Sequence, residues 1–308
     1  MKRIFYIISA AAAMLFADSC QKNHGLDHEG NLADVRLTIE VPAEVGSKAI
    51  GDGLSATELY YAVFDQEKTY MQSLAQTAAL PISGKTATLE IKLAKSHTYS
   101  IVFWAQTPGA PYTFTPETGT VKVSYAGTAN DETRDAFSAL HTFTVPDAAT
   151  FDEDVTLTRP FAQINFGASD FDQVTELGFA VKSTVEISGL ADTYDILNET
   201  LSGNASTSFT ATAVPAQFSA PEKLTAGGTD YAYVSMNYVL APEIANSKLA
   251  EVKGIFEYNG TSAEVSVPNV SYQKNYRTNI VGNLFTNDVN LNIIIDENFR
   301  ASDIVKPL

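Results

Sequence analysis

The residue with the most predictable chemistry is Cys20, the single cysteine of this 308-residue chain. It follows a short basic start, an apolar run over residues 4–17 and the small residue Ser19. These features in this order predict a secretory signal over residues 1–19, and the run is too short to span a bilayer as a helix. A cysteine directly after a small residue at such a site is the lipid acceptor of bacterial lipoproteins. We therefore predict that Cys20 is lipidated and that the protein is exported to the outer membrane and cell surface.

A plain secretory signal, in which Cys20 is a passenger, is the alternative. Either way the chain leaves the cytoplasm, and with one cysteine it cannot form an intramolecular disulfide. The composition is 45% hydrophobic and 18% charged, so the chain can bury a sizeable core. The formal net charge is −16 and lysines and arginines are not clustered, which argues against a nucleic-acid partner. No second apolar run reaches spanning length, so a lipid on Cys20 would be the only membrane attachment.

Histidines and carboxylates are the other groups that could do chemistry. The histidines are His24, His28, His97 and His141. None has the spacing of a zinc site, and a Gly-x-Ser-x-Gly motif and a glycine-rich phosphate loop are both missing. Carboxylates crowd two places, at Asp131, Glu132 and Asp135 and in a predicted turn over 152–154. Paired carboxylates could hydrolyse a glycoside and 152–154 could bind calcium, but acids are also ordinary in a first helical turn. We predict no enzyme, no metal and no cofactor.

Aromatic residues around a Pro-Gly-Ala-Pro segment at 108–111 could form a platform for a sugar ring. Trp104 ends an apolar run typical of a buried strand, so core packing is the favoured interpretation for it. Tyr112 is the best candidate for an exposed aromatic that contacts a ligand.

Hydrophobic periodicity predicts an all-β protein. Residues 35–41 alternate strictly, with Val35 and Leu37 among the residues on one side. Further strands are predicted at 59–64, 88–93, 99–104, 121–125, 143–145, 155–157, 161–166, 181–187, 231–240, 252–258, 263–267, 279–284 and 289–295. One short helix is predicted over 130–137, and the stretch 200–212, rich in Ser, Thr and Ala, is predicted to be a surface loop.

Many short strands with few helices favour β-sandwiches. A flexible tether is predicted over 20–34, and glycines in 43–53 indicate a loose, exposed segment after the first strand. A new strand begins after Thr158-Arg159-Pro160. We therefore predict an N-terminal sandwich over 35–158 and a C-terminal sandwich over 159–308.

Four segments together carry a family resemblance. They are Leu-Tyr-Tyr-Ala-Val at 59–63, Trp104 followed by Pro-Gly-Ala-Pro-Tyr at 108–112, Arg-Pro-Phe-Ala-Gln-Ile-Asn at 159–165, and Asn-Tyr-Arg-Thr-Asn-Ile-Val-Gly-Asn-Leu at 275–284. In this order, behind a lipoprotein signal, they resemble the fimbrillin-like lipoproteins of the Bacteroidales, in the superfamily that builds type V pili. The resemblance covers essentially the whole chain.

The resemblance implies two transthyretin-like Greek-key β-sandwich domains and a way of assembling. A trypsin-like protease cuts after the first strand, the strand leaves, and a C-terminal strand of another pilin subunit fills the groove by donor-strand exchange. In this sequence the first strand would be 35–41 and the cut would fall in 43–53. The basic site there is Lys48-Ala49, where the family usually has arginine. Lys48 as an ordinary solvated loop residue is the alternative.

The donor strand implied by the resemblance is 289–295. Its apolar face is formed by Val289, Leu291, Ile293 and Ile295. The alternative is that this strand completes its own domain. The corresponding functions are a fimbrial, adhesive subunit of the cell surface, or a non-polymerising outer-membrane lipoprotein that anchors a pilus or binds a glycan or protein.

Overall fold

The computed structural model describes residues 31–42, 51–125, 130–176, 180–212, 223–245, 247–286, 291–297 and 303–307. The predictions at Cys20, His24, His28, Lys48, Ala49 and Val289 lie outside these residues. The strands are β1 (Leu32–Glu40), β2 (Glu58–Phe64), β3 (Leu80–Pro81), β4 (Thr86–Ala94), β5 (Thr98–Gln106), β6 (Tyr112–Thr115), β7 (Thr120–Val123), β8 (Phe137–Thr144), β9 (Thr150–Thr156), β10 (Phe161–Ala168), β11 (Val181–Leu190), β12 (Thr193–Asp195), β13 (Thr200–Ser202), β14 (Ala205–Thr212), β15 (Lys223–Ala226), β16 (Thr229–Leu240), β17 (Lys248–Tyr258), β18 (Thr261–Ser271), β19 (Tyr276–Gly282), β20 (Leu291–Glu297) and β21 (Asp303–Pro307). Among the described residues, 3-10 turns lie at Gln72–Leu74 and Glu132–Arg134, and the α-helix α1 spans Phe171–Thr175.

The first sandwich packs the sheet β4-β1-β9 against the sheet β3-β2-β5-β8. Each sheet contributes alternate apolar side chains to the core between them, since successive residues of a strand point to opposite faces. Leu37 of β1 and Phe103 of β5 are fully buried there. Strand β5 is central, as its continuous apolar run predicts.

The second sandwich packs the six-stranded sheet β15-β16-β10-β19-β20-β21 against the four-stranded sheet β14-β11-β17-β18. Ile164 of β10 and Phe256 of β17 are fully buried in the core between these sheets. The predicted all-β sandwich fold is confirmed.

A further sheet, β13-β12-β7-β6, joins the two parts of the chain. Strand β12 follows the 158–160 segment and β7 precedes it, and they pair through Tyr194 and Val121. Beneath this sheet one continuous apolar cluster contains side chains from both parts, including Trp104 and Phe161. The described residues contain no helix long and apolar enough to cross a membrane.

Three local predictions are wrong. The predicted helix 130–137 is a single 3-10 turn, Glu132–Arg134, because Glu132 and Asp135 turn inward to buried partners, and β8 begins at Phe137. The predicted loop 200–212 forms β13 and β14, since Phe209 is buried and the β-branched threonines suit a strand. The predicted turn 152–154 lies inside β9.

Candidate functional site

The first strand is the element on which the predicted function depends, and it is central to its sheet. β1 pairs with β4 in antiparallel register along all nine residues, from Leu32 opposite Ala94 to Glu40 opposite Thr86. On its other side it pairs with β9 in parallel register from Asp34 to Glu40. In this sheet β4 and β9 are both edges, so β1 is the strand that joins them.

The alternation predicted for β1 is confirmed. Five apolar side chains enter the first core, and each is at most 3% exposed. They are Ala33, Val35, Leu37, Ile39 and Val41. Burying the four larger side chains contributes about 1.5–3 kcal/mol each, or roughly 6–12 kcal/mol as an upper bound. The outward residues Arg36 and Glu90 of the neighbouring strand form an exposed ion pair of little energetic weight.

The chain returns to this region at Gly51, whose backbone groups are both held by buried side chains. The Gly51 N–H donates to Oε2 of Glu132 at 2.7 Å, and the Gly51 carbonyl accepts from Nη2 of Arg159 at 2.7 Å. Gly51 has a φ of +73°, in the left-handed region that glycine adopts without strain. One residue on, Nζ of Lys85 donates to the Asp52 carbonyl at 2.5 Å.

Glu132 connects this returning segment to the second sandwich. Its Oε2 accepts from the Tyr238 hydroxyl at 2.8 Å, and its Oε1 accepts from Nε2 of Gln163 at 3.3 Å. Glu132 is 8% exposed, while Tyr238 and Gln163 are buried. Burial raises the pKa of Glu132 to about 7, and the Asp135 carboxylate adds to the rise. The Tyr238 hydroxyl, the Gly51 N–H and the Arg277 guanidinium act in the opposite direction on this pKa.

Arg159 is the second buried charge beside Gly51. It makes a bidentate pair with Asp135, Nε to Oδ1 at 2.5 Å and Nη2 to Oδ2 at 2.7 Å, and both side chains are 1% exposed. Nη1 donates to Asn275 at 3.0 Å, and the guanidinium lies over the Phe137 ring at 4.8 Å. A buried pair of this kind leaves an uncompensated charge if either partner is removed. We call Glu132, Asp135 and Arg159 the polar clamp.

The predicted donor strand lies inside its own sheet. β20 pairs with β19 from Leu291 to Glu297 on one side and with β21 on the other. Leu291, Ile293 and Ile295 face the core of the second sandwich, as their spacing predicts, and Ile294 is buried on the opposite face. In this structure β20 therefore lies within its own domain, paired on both sides.

Residues 284–286, which follow β19, are held by a buried carboxylate. Asp170 accepts hydrogen bonds from the backbone N–H groups of Leu284, Phe285 and Thr286 at 2.8–3.0 Å, and from the Thr286 hydroxyl at 2.9 Å. Asp170 is 1% exposed. Three consecutive amides on one buried carboxylate hold this segment in a single conformation.

The aromatic residues proposed for ligand contact do not form an exposed platform. Trp104 is fully buried and its indole N–H donates to Gln106 at 2.8 Å. Tyr112, predicted to be exposed, is buried because its ring packs against Trp104 and Phe161 and its hydroxyl donates to the Arg134 carbonyl. The prediction that Tyr112 is exposed is wrong.

Histidines and carboxylates form no metal site among the described residues. His141 pairs with Glu153 at 3.0 Å, and Nδ1 of His97 lies 2.8 Å from the Lys95 carbonyl. No local pattern indicates a partner for His141, because Glu153 lies on β9, in the other sheet of the first sandwich.

The fold is that of an all-β sandwich protein, and comparison with known proteins identifies the family of the chain. The chain belongs to the family of unknown function DUF6562, whose model matches residues 28–306. Among curated proteins, no sequence matches this chain.

Several solved structures are similar to this chain. A proposed polysaccharide-binding protein from Bacteroides thetaiotaomicron has a TM-score of 0.52 and 12% identity, over 90% of this chain and 98% of that one. A proposed cell adhesion protein from Bacteroides ovatus has a TM-score of 0.48 and 12% identity, over 86% and 97% of the two chains. The tip fimbrial protein Mfa3 from Porphyromonas gingivalis has a TM-score of 0.45 and 11% identity, over 86% and 99%. At 12% identity, the first of these similarities shows the fold alone.

The residues that sequence reasoning missed are those of the polar clamp and Asp170. In the sequence, Glu132 and Asp135 stand out only as members of an acidic cluster, and Arg159 only as part of the predicted domain join and of the 159–165 segment that carries the resemblance. Their partners lie 24 to 116 positions away in the chain, so no local pattern links them.

Proposed function

We propose that this protein is a fimbrial, adhesive subunit of the cell surface that assembles by strand exchange after its first strand is removed. The observation that carries the proposal is the position of β1 between β4 and β9. Loss of a central strand would leave a groove with unpaired backbone groups along both walls and a row of apolar pockets at its floor. Such a groove accepts another strand by β-augmentation.

The spacing of the apolar residues supports the identity of the incoming strand. In β1 the large buried side chains recur at Val35, Leu37 and Ile39. The same period of two recurs in the segment 289–295, with Leu291 and Ile293 among its members. A strand of this pattern could place its apolar face on the pockets that β1 fills, with ladder hydrogen bonds adding on the order of 1 kcal/mol each.

Export and processing come before assembly in this proposal. The chain is delivered as a lipoprotein acylated on Cys20 and held at the outer membrane. A trypsin-like protease cuts at Lys48-Ala49, which detaches β1 and the lipid together. The partners are other pilin subunits, and the protein carries out no catalysis.

A second function is favoured by one observation. Because β20 is paired on both sides within its own chain, it must leave two ladders before it can be donated. A protein that keeps both β1 and β20 would be a resident lipoprotein that anchors a pilus or binds a glycan or protein through its loops.

A strand-exchange assay separates the two functions. The purified chain without its signal is nicked with trypsin, and the nick at Lys48 is verified by mass. A synthetic peptide of residues 287–297 is added in excess, and release of the β1 fragment is followed by gel filtration. The substitutions that test the strand are made in the peptide and not in the protein. Ile293 is buried in the protein's own core, where a charged side chain would unfold the domain.

The matched control is the same peptide with Leu291→Asp and Ile293→Asp. The proposal expects the natural peptide to displace the fragment and bind in its place, and the charged peptide to do neither. Equal release with both peptides, or a fragment that stays bound to the nicked protein in every case, would count against strand exchange.

A further inference from the structure

We propose that the polar clamp is a retention device: it holds the chain from Gly51 onward in place when the chain before it is cut away. This inference rests on the proposed removal of β1, and it names what keeps the processed subunit intact. In this role Glu132 and Arg159 are positioning residues: they hold the N-terminal end that the cut creates.

Gly51 is fastened at both of its backbone groups. Its N–H is bound by Glu132 and its carbonyl by Arg159, each at 2.7 Å and each by a buried side chain. The bond from the Arg159 guanidinium is charge-assisted, which makes it stronger than a hydrogen bond between neutral groups. The segment is further held one residue later through Lys85 and the Asp52 carbonyl.

No atom of the polar clamp comes from β1. Glu132 and Asp135 belong to the 3-10 turn and its end, and Arg159 precedes β10. Their other partners, Gln163 and Tyr238, lie on β10 and β16 of the second sandwich. These contacts therefore remain when β1 leaves.

The chain on the β1 side is held differently. Just after β1, the N–H of Val41 donates to the Lys85 carbonyl, and its side chain is buried in the first core and lies against Gly53. A Cβ on Gly53 would lie 2.8 Å from the Val41 side chain, so this contact depends on glycine. The segment that leaves is thus held by the ladders and the buried apolar side chains of β1, and the segment that stays is held by Glu132 and Arg159.

The consequence is a defined boundary for proteolysis. A cut in 43–50 would release β1, and trimming of the new end would stop at Gly51. The clamp would also fasten the processed end to the second sandwich. Without it, the chain could fray up to β2, which begins at Glu58.

The test uses the purified full chain without its signal and a protease of broad specificity, followed by mass measurement of the trimmed protein. We expect the wild-type chain to be trimmed no further than Gly51. In Glu132→Leu, which removes the acceptor, we expect trimming between Gly51 and Glu58. Glu132→Gln keeps one acceptor oxygen and should restore the wild-type boundary. The matched control Ser55→Ala removes a hydroxyl that donates only to the Glu132 carbonyl, and should behave like wild type.

Hydrogen exchange of the Gly51 amide gives an independent measurement. It compares wild type with Glu132→Gln, so it tests the proposal even if Glu132→Leu does not fold. In wild type the Gly51 amide should exchange slowly, and in Glu132→Gln about ten- to a hundredfold faster, as expected for a weakened bond to a buried charged acceptor. Wild-type trimming past Gly51, or a Gly51 amide that exchanges at the rate of an open loop, would overturn the proposal. Neither readout needs polymers, so failure here is distinguishable from failure of strand exchange.

Discussion

Truncating a buried side chain of β1 should weaken the unprocessed protein and leave the assembled form unchanged. Leu37 is fully buried at the centre of the strand, among side chains from both sheets of the first sandwich. Leu37→Ala removes apolar surface and leaves a cavity, which together cost about 3–5 kcal/mol in a close-packed core. If β1 is absent from the assembled subunit, the same substitution cannot affect it.

The assay is urea denaturation of the purified precursor beside the denaturant resistance of fibres from cells that express each variant. Leu59→Ala is the matched control, because Leu59 is also fully buried in this core but lies on β2, which is retained. We expect Leu37→Ala to lower only the stability of the precursor and Leu59→Ala to lower both stabilities. Fibres weakened equally by the two variants, or a precursor indifferent to Leu37→Ala, would refute the reasoning.

Three further predictions concern buried polar groups. The pKa of Glu132 is raised from 4.5 to about 7 in the folded protein, so the native state binds more protons in this range and its stability falls as pH rises from 4.5 to 7. The loss is at most about 3 kcal/mol, and urea titrations should show a smaller slope for Glu132→Gln. Asp170→Asn should lower stability by about 2–3 kcal/mol, measured by urea denaturation, because backbone amides lose a charged acceptor. Tyr112→Phe should cost about 1 kcal/mol through the bond to the Arg134 carbonyl and leave binding on glycan arrays unchanged.

Strands with strict alternation could be predicted from the sequence, because apolar residues at every second position all face the core and the polar residues between them face solvent. The period of two over 35–41 fixed both the strand and its buried face, and the apolar run at 99–104 indicated a strand central in its sheet. The neighbours of β1 could not be predicted, since β9 pairs with it from more than a hundred residues away.

Local propensity failed where distant partners decide the conformation. Acids in 130–137 are typical of a helix start, but Glu132 and Asp135 are pulled inward by Gly51 and Arg159. Serine and threonine in 200–212 are typical of loops, yet the pairing of β14 with β11 makes a strand of them.

The candidate site was predictable only in part. The apolar faces of β1 and β20 follow from spacing, whereas the polar clamp depends on three segments that meet only in the folded chain. Tyr112 shows the limit in the other direction: a tyrosine beside a proline-rich turn has the composition of an exposed ligand contact, and its burial follows from packing across the shared core.

The central claim is that the mature surface protein lacks its first strand. The most direct test is the intact mass of the protein extracted from the surface of its native cells. The account predicts a species that begins at Ala49, without β1 and without lipid. A species that begins at acylated Cys20 and retains β1 would contradict it and would identify a resident lipoprotein.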